Sequence, residues 1–256
     1  MEGNGSLDGR HALVTGGGTG IGAACAVELG NAGARLSLLG RRTAPLSGTA
    51  IRTGGNAFQC DVTDSEQIGR AFDEARAANG PIDMLIVNAG IAESAPFHKM
   101  TRESWDRLIA TNLTAAFDCA LAAIGDLSKS DHGRLIFVAS VAGLRGVPYA
   151  AHYSASKHGV LGLMRSLAVE YAKTSLTVNA VCPGFVDTPM TDQSVERVSK
   201  VTGRSEDESR DAIVSMNASG RLVAPEAVAR MVLTLCLPSS RDVNGAAIAI
   251  DGGTTA

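Results

Sequence analysis

Apolar residues along this chain gather in seven short runs, at 11–15, 34–39, 56–60, 82–88, 134–140, 176–181 and 246–250, with polar or glycine-rich turns between them. Each run has the length of a strand, and most are followed by a segment whose apolar positions recur every three to four residues, the period of an amphipathic helix. In the first such segment Ile21, Cys25, Leu29 and Ala32 share one face. Strand alternating with helix predicts right-handed crossovers and an α/β fold whose parallel sheet is covered on both faces. Gly33 stands where the first helix should stop, and Thr63-x-x-Glu66 reads as a capping box opening the third.

Two segments break the alternation. The second helix, around 45–52, has room for only about two turns. Between 190 and 221 lies a polar insertion with two amphipathic pieces, 192–200 and 206–216. On an α/β scaffold a long insertion behind the C-terminal end of a strand is where a lid occurs. No repeat, low-complexity tract or linker divides the chain, so residues 1–256 are expected to form one domain, with the lid at 190–221 inside it. A chain of this size buries roughly three quarters of its unfolded surface, enough for one substantial core.

With 45% hydrophobic residues, 19% charged residues and a net charge of −3, the composition gives no basis for a nucleic-acid or anionic-membrane partner. No uninterrupted apolar stretch approaches the ~18 residues of a membrane helix. The opening residues MEGNGSLDGRH lack the basic start and apolar run of a secretion signal, so a cytoplasmic location is expected. The five cysteines are odd in number and scattered, which suits small core residues in a reducing compartment. The five histidines have no ligand spacing with one another or with cysteine, and no metal site is expected.

The chemistry gathers at strand ends. After the first strand comes Gly16-Gly17-Gly18-Thr19-Gly20-Ile21-Gly22, a turn into a helix. Glycines there let the backbone approach a pyrophosphate, whose charge is met by N–H groups and the positive end of the helix dipole. The spacing G-x-x-x-G-x-G departs from the commoner G-x-G-x-x-G, and its place in a βαβ unit is what makes it a nucleotide signal. An acid about 20 residues downstream would take the ribose of NAD, while an arginine accommodates the extra phosphate of NADP. Gly40 occupies that position and Arg41 and Arg42 follow, so the expected cofactor is NADP rather than NAD, with Arg41 as the selecting residue and Arg42 undecided.

Ser140 ends the fifth run, and Tyr153 and Lys157 stand one helical turn apart in the segment after it. A phenol with a pKa near ~10 is a poor proton donor or acceptor at neutral pH, and a neighbouring ammonium is expected to lower that value.

Gly16-x-x-x-Gly20-Ile-Gly22, Asn88-Ala89-Gly90, Ser140, Tyr153-Ser-Ala-Ser-Lys157 and Pro183-Gly184-Phe-Val-Asp-Thr188 resemble, in order and over nearly the whole chain, the motifs of the classical short-chain dehydrogenase/reductase family. The resemblance implies a Rossmann-like sheet of about seven parallel strands in a homotetramer. It implies Tyr153 as general acid/base, Lys157 as the group that lowers the tyrosine's pKa and holds the nicotinamide ribose, and Ser140 as the hydroxyl that steadies the substrate oxygen. Asn112 matches a helix asparagine that holds a water in the proton relay. Asp61 and Val62 match the adenine side, Asn88 and Gly90 the strand end beside the cofactor, and Pro183, Val186 and Thr188 the nicotinamide side. Val87 replaces an asparagine frequent in the family, and the short segment after Arg42 also departs from its pattern. Asp251-Gly252-Gly253 resembles the closing turn, where a structural or subunit-interface role is expected.

In pattern the chain looks most like reductases of 3-oxoacyl thioesters and of aromatic polyketides. Leu144, His152 and Phe185 are the candidate pocket residues, and their largely apolar character favours a ketone on an apolar body. His152 is given no proton-transfer role, because adjacent helix residues face different ways. Arg197, Lys200, Arg204 and Arg210 read as solvated lid charges ahead of contacts to the phosphates of a CoA or carrier-protein arm. The rival readings are an NAD-dependent dehydrogenase of a secondary alcohol or hydroxy acid working oxidatively, and a non-catalytic dinucleotide-binding regulator.

Overall fold

The computed structural model describes residues 5–256; the first four residues of the N-terminal segment read above lie outside it. Seven strands, β1 (His11–Thr15), β2 (Arg35–Gly40), β3 (Asn56–Gln59), β4 (Met84–Val87), β5 (Arg134–Val138), β6 (Thr177–Pro183) and β7 (Ala247–Ile250), form one parallel sheet in the order β3-β2-β1-β4-β5-β6-β7. The apolar runs without polar alternation have their reason here. In β4 and β5, Leu85, Val87, Leu135 and Phe137 enter the core on one face, while Met84, Ile86, Ile136 and Val138 enter the core on the other. Each large apolar side chain so buried contributes about 1.5–3 kcal/mol.

Helices α1 (Gly20–Asn31) and α2 (Thr43–Thr53) pack with α9 (Pro225–Cys236) on one face; α3 (Ser65–Asn79), α5 (Ala115–Leu127) and α6 (Ala151–Glu170) cover the other. Helix α4 (Arg102–Ile109) joins α5 through a single π-turn, Ala110–Thr114. By length and composition the continuous segment Arg102–Leu127 could cross a membrane. In this fold Ala116, Cys119, Ala120 and Ala123 of α5 pack against the sheet, while Phe117 and Leu121 remain exposed.

Two local expectations are corrected. Helix α3 is capped by Asp64, not Thr63: the Asp64 carboxylate accepts the N–H groups of Glu66 and Gln67 at 3.0 and 3.1 Å. The Thr63 hydroxyl instead donates to Asp61 at 2.8 Å, leaving the charged acceptor to meet the helix end. Helix α2 has 11 residues, three turns rather than two, because it begins at Thr43, directly after Arg42. Pro45 falls in its first turn, where a missing N–H costs no helical bond, and Gly54 at φ +67° ends it.

The strand order reverses between β1 and β4, and a crevice opens at the carboxyl ends of the strands beside that point. The polar insertion folds over this end as two helices, α7 (Pro189–Thr202) and α8 (Glu206–Val214). A parallel bridge from Val186 to Val223 closes its base.

Candidate active site

The glycine turn after β1 is shaped by close contacts. Gly16 has φ +67°, and a Cβ on Gly22 would lie 2.2 Å from the Gly16 carbonyl oxygen and 2.5 Å from Asn88 Nδ2, so nothing larger than glycine fits at 22. Thr19 makes no side-chain cap and the first turn of α1 carries no acid, which leaves the helix N–H groups and positive dipole end open to an anion. This cradle, which a single Cβ would fill, suits the pyrophosphate of a dinucleotide. Asn88 holds it together: its Nδ2 donates to the carbonyls of Thr15 and Gly16 at 3.0 and 3.3 Å. Thr15 Oγ1 accepts the Asn88 and Ala89 N–H groups, both at 3.0 Å.

Beside the turn, Gly16, Thr19, Gly40, Arg41, Arg42, Asp61, Val62 and Gly90 line a recess of about 170 Å³. Arg41 Nη1 stands 3.9 Å from an Asp61 carboxylate oxygen, and Arg42 Nη2 stands 3.5 Å from Thr19 Oγ1. Both guanidinium groups therefore border the recess. The early start of α2 makes Arg42 its N-cap residue and places its side chain over the glycine turn.

The adjoining cleft, of about 290 Å³, contains Ser140, Tyr153 and Lys157 together with Ile21, Asn88, Gly90, Pro183, Phe185, Val186 and Thr188. Ser140 follows β5 and its Oγ accepts the Ala142 N–H at 3.1 Å, which orients the turn toward the cleft. Lys157 Nζ lies 5.8 Å from the centre of the Tyr153 ring and donates to the Val138 carbonyl at 2.9 Å.

The expectation that Lys157 lowers the Tyr153 pKa is not met in this arrangement. Burial lifts the phenol above its ordinary value, and the hydrogen bond with Ser140 opposes that shift. Burial also lowers the Lys157 ammonium to about 8. Helical spacing brings the two side chains together, but the protein around both sets the direction in which each titrates.

Asn112 sits in the π-turn between α4 and α5, buried. Its Oδ1 accepts the Ile91 N–H at 2.9 Å, and its Nδ2 donates to the Ile91 carbonyl at 2.9 Å and to Ser156 Oγ at 3.2 Å. The side-chain amide thus fixes the strand end that borders the cofactor recess to the helix that carries Tyr153.

On the far wall, Pro183 ends β6, Phe185 and Val186 follow, and Thr188 holds the N-cap position of α7 without a side-chain cap bond. Of the three candidate pocket residues only Phe185 lines the cleft. Leu144 packs against the core, and His152 is buried with Nδ1 accepting the Tyr153 N–H at 3.0 Å. Burial lowers the pKa of that imidazole. The reason is the one given for its lack of a proton-transfer role: at 3.6 residues per turn, position 152 points about 100° around α6 from position 153.

Three features were missed in the sequence. Buried Asn217 accepts the Phe185 N–H at 2.9 Å and donates to the carbonyls of Phe185 and Arg221 at 2.9 and 2.8 Å, fastening the insertion to the cleft wall. Glu93 lines the cleft, its carboxylate held below the usual range by hydrogen bonding to Arg107, with contacts of 2.7 and 3.0 Å. Tyr149 borders the mouth at φ +63°, the one non-glycine residue with positive φ among those described. A lone asparagine, glutamate or tyrosine between motifs carries no periodic signal that could have singled it out.

A parallel doubly wound sheet with an anion cradle beside a Ser, Tyr and Lys cleft defines a nicotinamide-dinucleotide oxidoreductase. Residues 10–199 match the family model described as short chain dehydrogenase, and the chain belongs to that family. It is 36% identical over 244 residues to the 3-oxoacyl-[acyl-carrier-protein] reductase MabA of Mycobacterium tuberculosis, covering 95% of this chain and 92% of that protein. It is 34% identical over 256 residues to the D-beta-hydroxybutyrate dehydrogenase of Cupriavidus necator, covering 98% and 99%. Among solved structures, an actinorhodin polyketide ketoreductase variant with NADPH superimposes with a TM-score of 0.92 at 34% identity, covering 98% of both chains.

Proposed function

We propose that this oxidoreductase is an NADP-dependent ketoreductase acting on a 3-oxoacyl thioester or a polyketide-like ketone. The observation that carries the reading is the meeting of Ser140, Tyr153 and Lys157 in one cleft that runs into the glycine turn. Bound there, the nicotinamide would supply hydride to the carbonyl carbon. Tyr153 gives its Oη proton to the carbonyl oxygen as that oxygen becomes a hydroxyl, and its raised pKa keeps the proton in place at neutral pH. Ser140 donates a hydrogen bond to the same oxygen, and Lys157 holds the ribose. In the oxidative direction the same phenol takes the proton back.

Gly16, Thr19, Gly20, Ile21 and Gly22 would hold the pyrophosphate; Asp61 and Val62 would flank the adenine; Asn88, Gly90, Pro183, Val186 and Thr188 would border the nicotinamide. Arg41 and Arg42 together would meet the 2′-phosphate, and the NADPH-bound structural relative supports that choice of cofactor. Val141, Val147, Phe185 and Ile213 give the cleft apolar walls, suited to an apolar ketone body. The insertion 190–221 acts as the lid over it. The exposed Phe117 and Leu121 of α5 support assembly into a homotetramer.

The test is steady-state kinetics with NADPH and NADH over oxoacyl thioesters and cyclic ketones, and with NADP and NAD over hydroxy acids, with Tyr153→Phe beside the native protein. The variant should bind NADPH and turn nothing over; an active variant refutes the proton-transfer role. The similarity to a hydroxybutyrate dehydrogenase favours a second reading, oxidation of a hydroxy acid with NAD, which faster turnover of hydroxy acids with NAD would establish.

A further inference from the structure

Of the positive charges of the insertion, Arg204 and Arg221 are exposed to solvent. On α7 Lys200 pairs with Glu196 at 2.6 Å, and Arg210 of α8 pairs with Asp192 of α7; both pairs are largely solvent-exposed. Arg197 differs. It is half-buried, it lines the cleft, and among the described residues no carboxylate lies within 4 Å of it and no hydrogen bond engages it. The acid nearest in effect, Glu93, is already held by Arg107. Arg107 also stands 3.8 Å from Glu103, so Glu93, Glu103, Arg107 and Arg197 balance in charge, but both carboxylates are engaged by Arg107, and Arg197, which lines the cleft, has no ion-pair partner of its own among the described residues.

A half-buried cation that lines a cleft without an ion-pair partner of its own gains most from an anion that enters with the ligand. We propose that Arg197 is a specificity-determining residue that binds an anionic group of the substrate, a carboxylate or a phosphate oxygen, at the lid end of the cleft away from Ser140 and Tyr153. The planar guanidinium presents paired donors that suit either anion. This assignment rests on the ketoreductase reading for the identity of the site, but its measurement does not require turnover.

The direct experiment is calorimetric titration of the native protein, Arg197→Gln and Arg197→Lys with cyclohexanecarboxylate and with the neutral cyclohexanecarboxamide. The native protein should prefer the carboxylate by about tenfold or more, Arg197→Gln should bring the ratio near one, and Arg197→Lys should retain part of it. Equal or undetectable binding of both probes to the native protein, or a preference that survives in Arg197→Gln, overturns the proposal. Tyr153→Phe should show the native preference, so a failed mechanism and a failed anion site give different results.

A kinetic arm separates the sources of the anion through two ratios of kcat/KM. One compares acetoacetate with methyl acetoacetate, the other acetoacetyl-CoA with acetoacetyl-N-acetylcysteamine. A fall of about tenfold in Arg197→Gln confined to the first ratio assigns a carboxylate, and one confined to the second assigns a phosphate. Both ratios unmoved overturns the proposal.

Discussion

Lys157 Nζ donates to the Val138 carbonyl at 2.9 Å while standing 5.8 Å from the Tyr153 ring centre, a buried ammonium for which no carboxylate lies within 4 Å among the described residues. Its pKa of about 8 lies below the ordinary 10.5, so between those values the unfolded chain binds more protons than the folded one. Stability contributed by this group is lowest below pH 8 and rises as pH climbs toward 10.5. Lys157→Met should therefore gain on the order of 2 kcal/mol at pH 7, after the lost hydrogen bond is set against the removed desolvation cost, while losing activity. Urea unfolding from pH 7 to 10.5 checks it. The native protein should gain stability across that range relative to the variant, and parallel profiles would refute the linkage.

Cofactor choice should turn on Gly40 and the arginines after it. A Cβ on Gly40 would meet only Leu46 Cδ1, at 3.4 Å, so the backbone accepts a side chain there. Gly40→Asp is expected to shift preference toward NADH by placing a carboxylate where the 2′-phosphate would sit. Arg41→Ala and Arg42→Ala should each weaken NADPH binding selectively, with Arg41→Ala losing roughly 1.5–3 kcal/mol, the scale of a hydrogen bond to a charged group. Fluorescence titration with both cofactors measures this. Equal losses for NADPH and NADH would make the arginines surface charges.

The extent to which the sequence foretold this molecule differs from residue to residue. Strands such as β4 and β5 were legible because both faces of the sheet are buried, so Met84–Val87 and Arg134–Val138 read as apolar runs with glycine or polar residues after them. Tyr153 and Lys157 were legible because a helix fixes their separation. Local chemistry that depends on competition between neighbours was not: Asp64 displaced Thr63 as a cap, and α2 began two residues ahead of the expected start. The direction of the Tyr153 shift was hidden for a further reason. Spacing shows a cation nearby, whereas burial is a property of everything packed around the pair.

The buried Asn217 joins the insertion to the body of the protein with three hydrogen bonds, to both backbone groups of Phe185 and to the Arg221 carbonyl. Asn217→Ala leaves those groups without their partner, and each unsatisfied buried group costs about 1–3 kcal/mol. The expected outcome is a loss of about 2–3 kcal/mol in urea unfolding, a raised KM for the ketone and a smaller change in NADPH affinity. A variant with native KM would mean that this fastening does not position the cleft wall.

Two glycines beside the dinucleotide recess differ in what surrounds them. At Gly22 a methyl group would stand 2.2 Å from the Gly16 carbonyl oxygen and 2.5 Å from Asn88 Nδ2. Neither neighbour can yield freely: the carbonyl belongs to the turn, and the Asn88 amide is held by Thr15 and Gly16. Gly22→Ala should therefore open the cradle, costing about 1–3 kcal/mol of stability, the range for overpacking, together with most of the cofactor affinity. Gly40→Ala, with only an ordinary contact to Leu46, should remain within about 0.5 kcal/mol of the native stability. Both variants bear the same change and both border the dinucleotide recess. Thermal unfolding with and without NADPH would separate them, because only Gly22→Ala should lose the ligand-induced rise in Tm. Similar behaviour of the two would mean that the pyrophosphate is held elsewhere than at the Gly16–Gly22 turn.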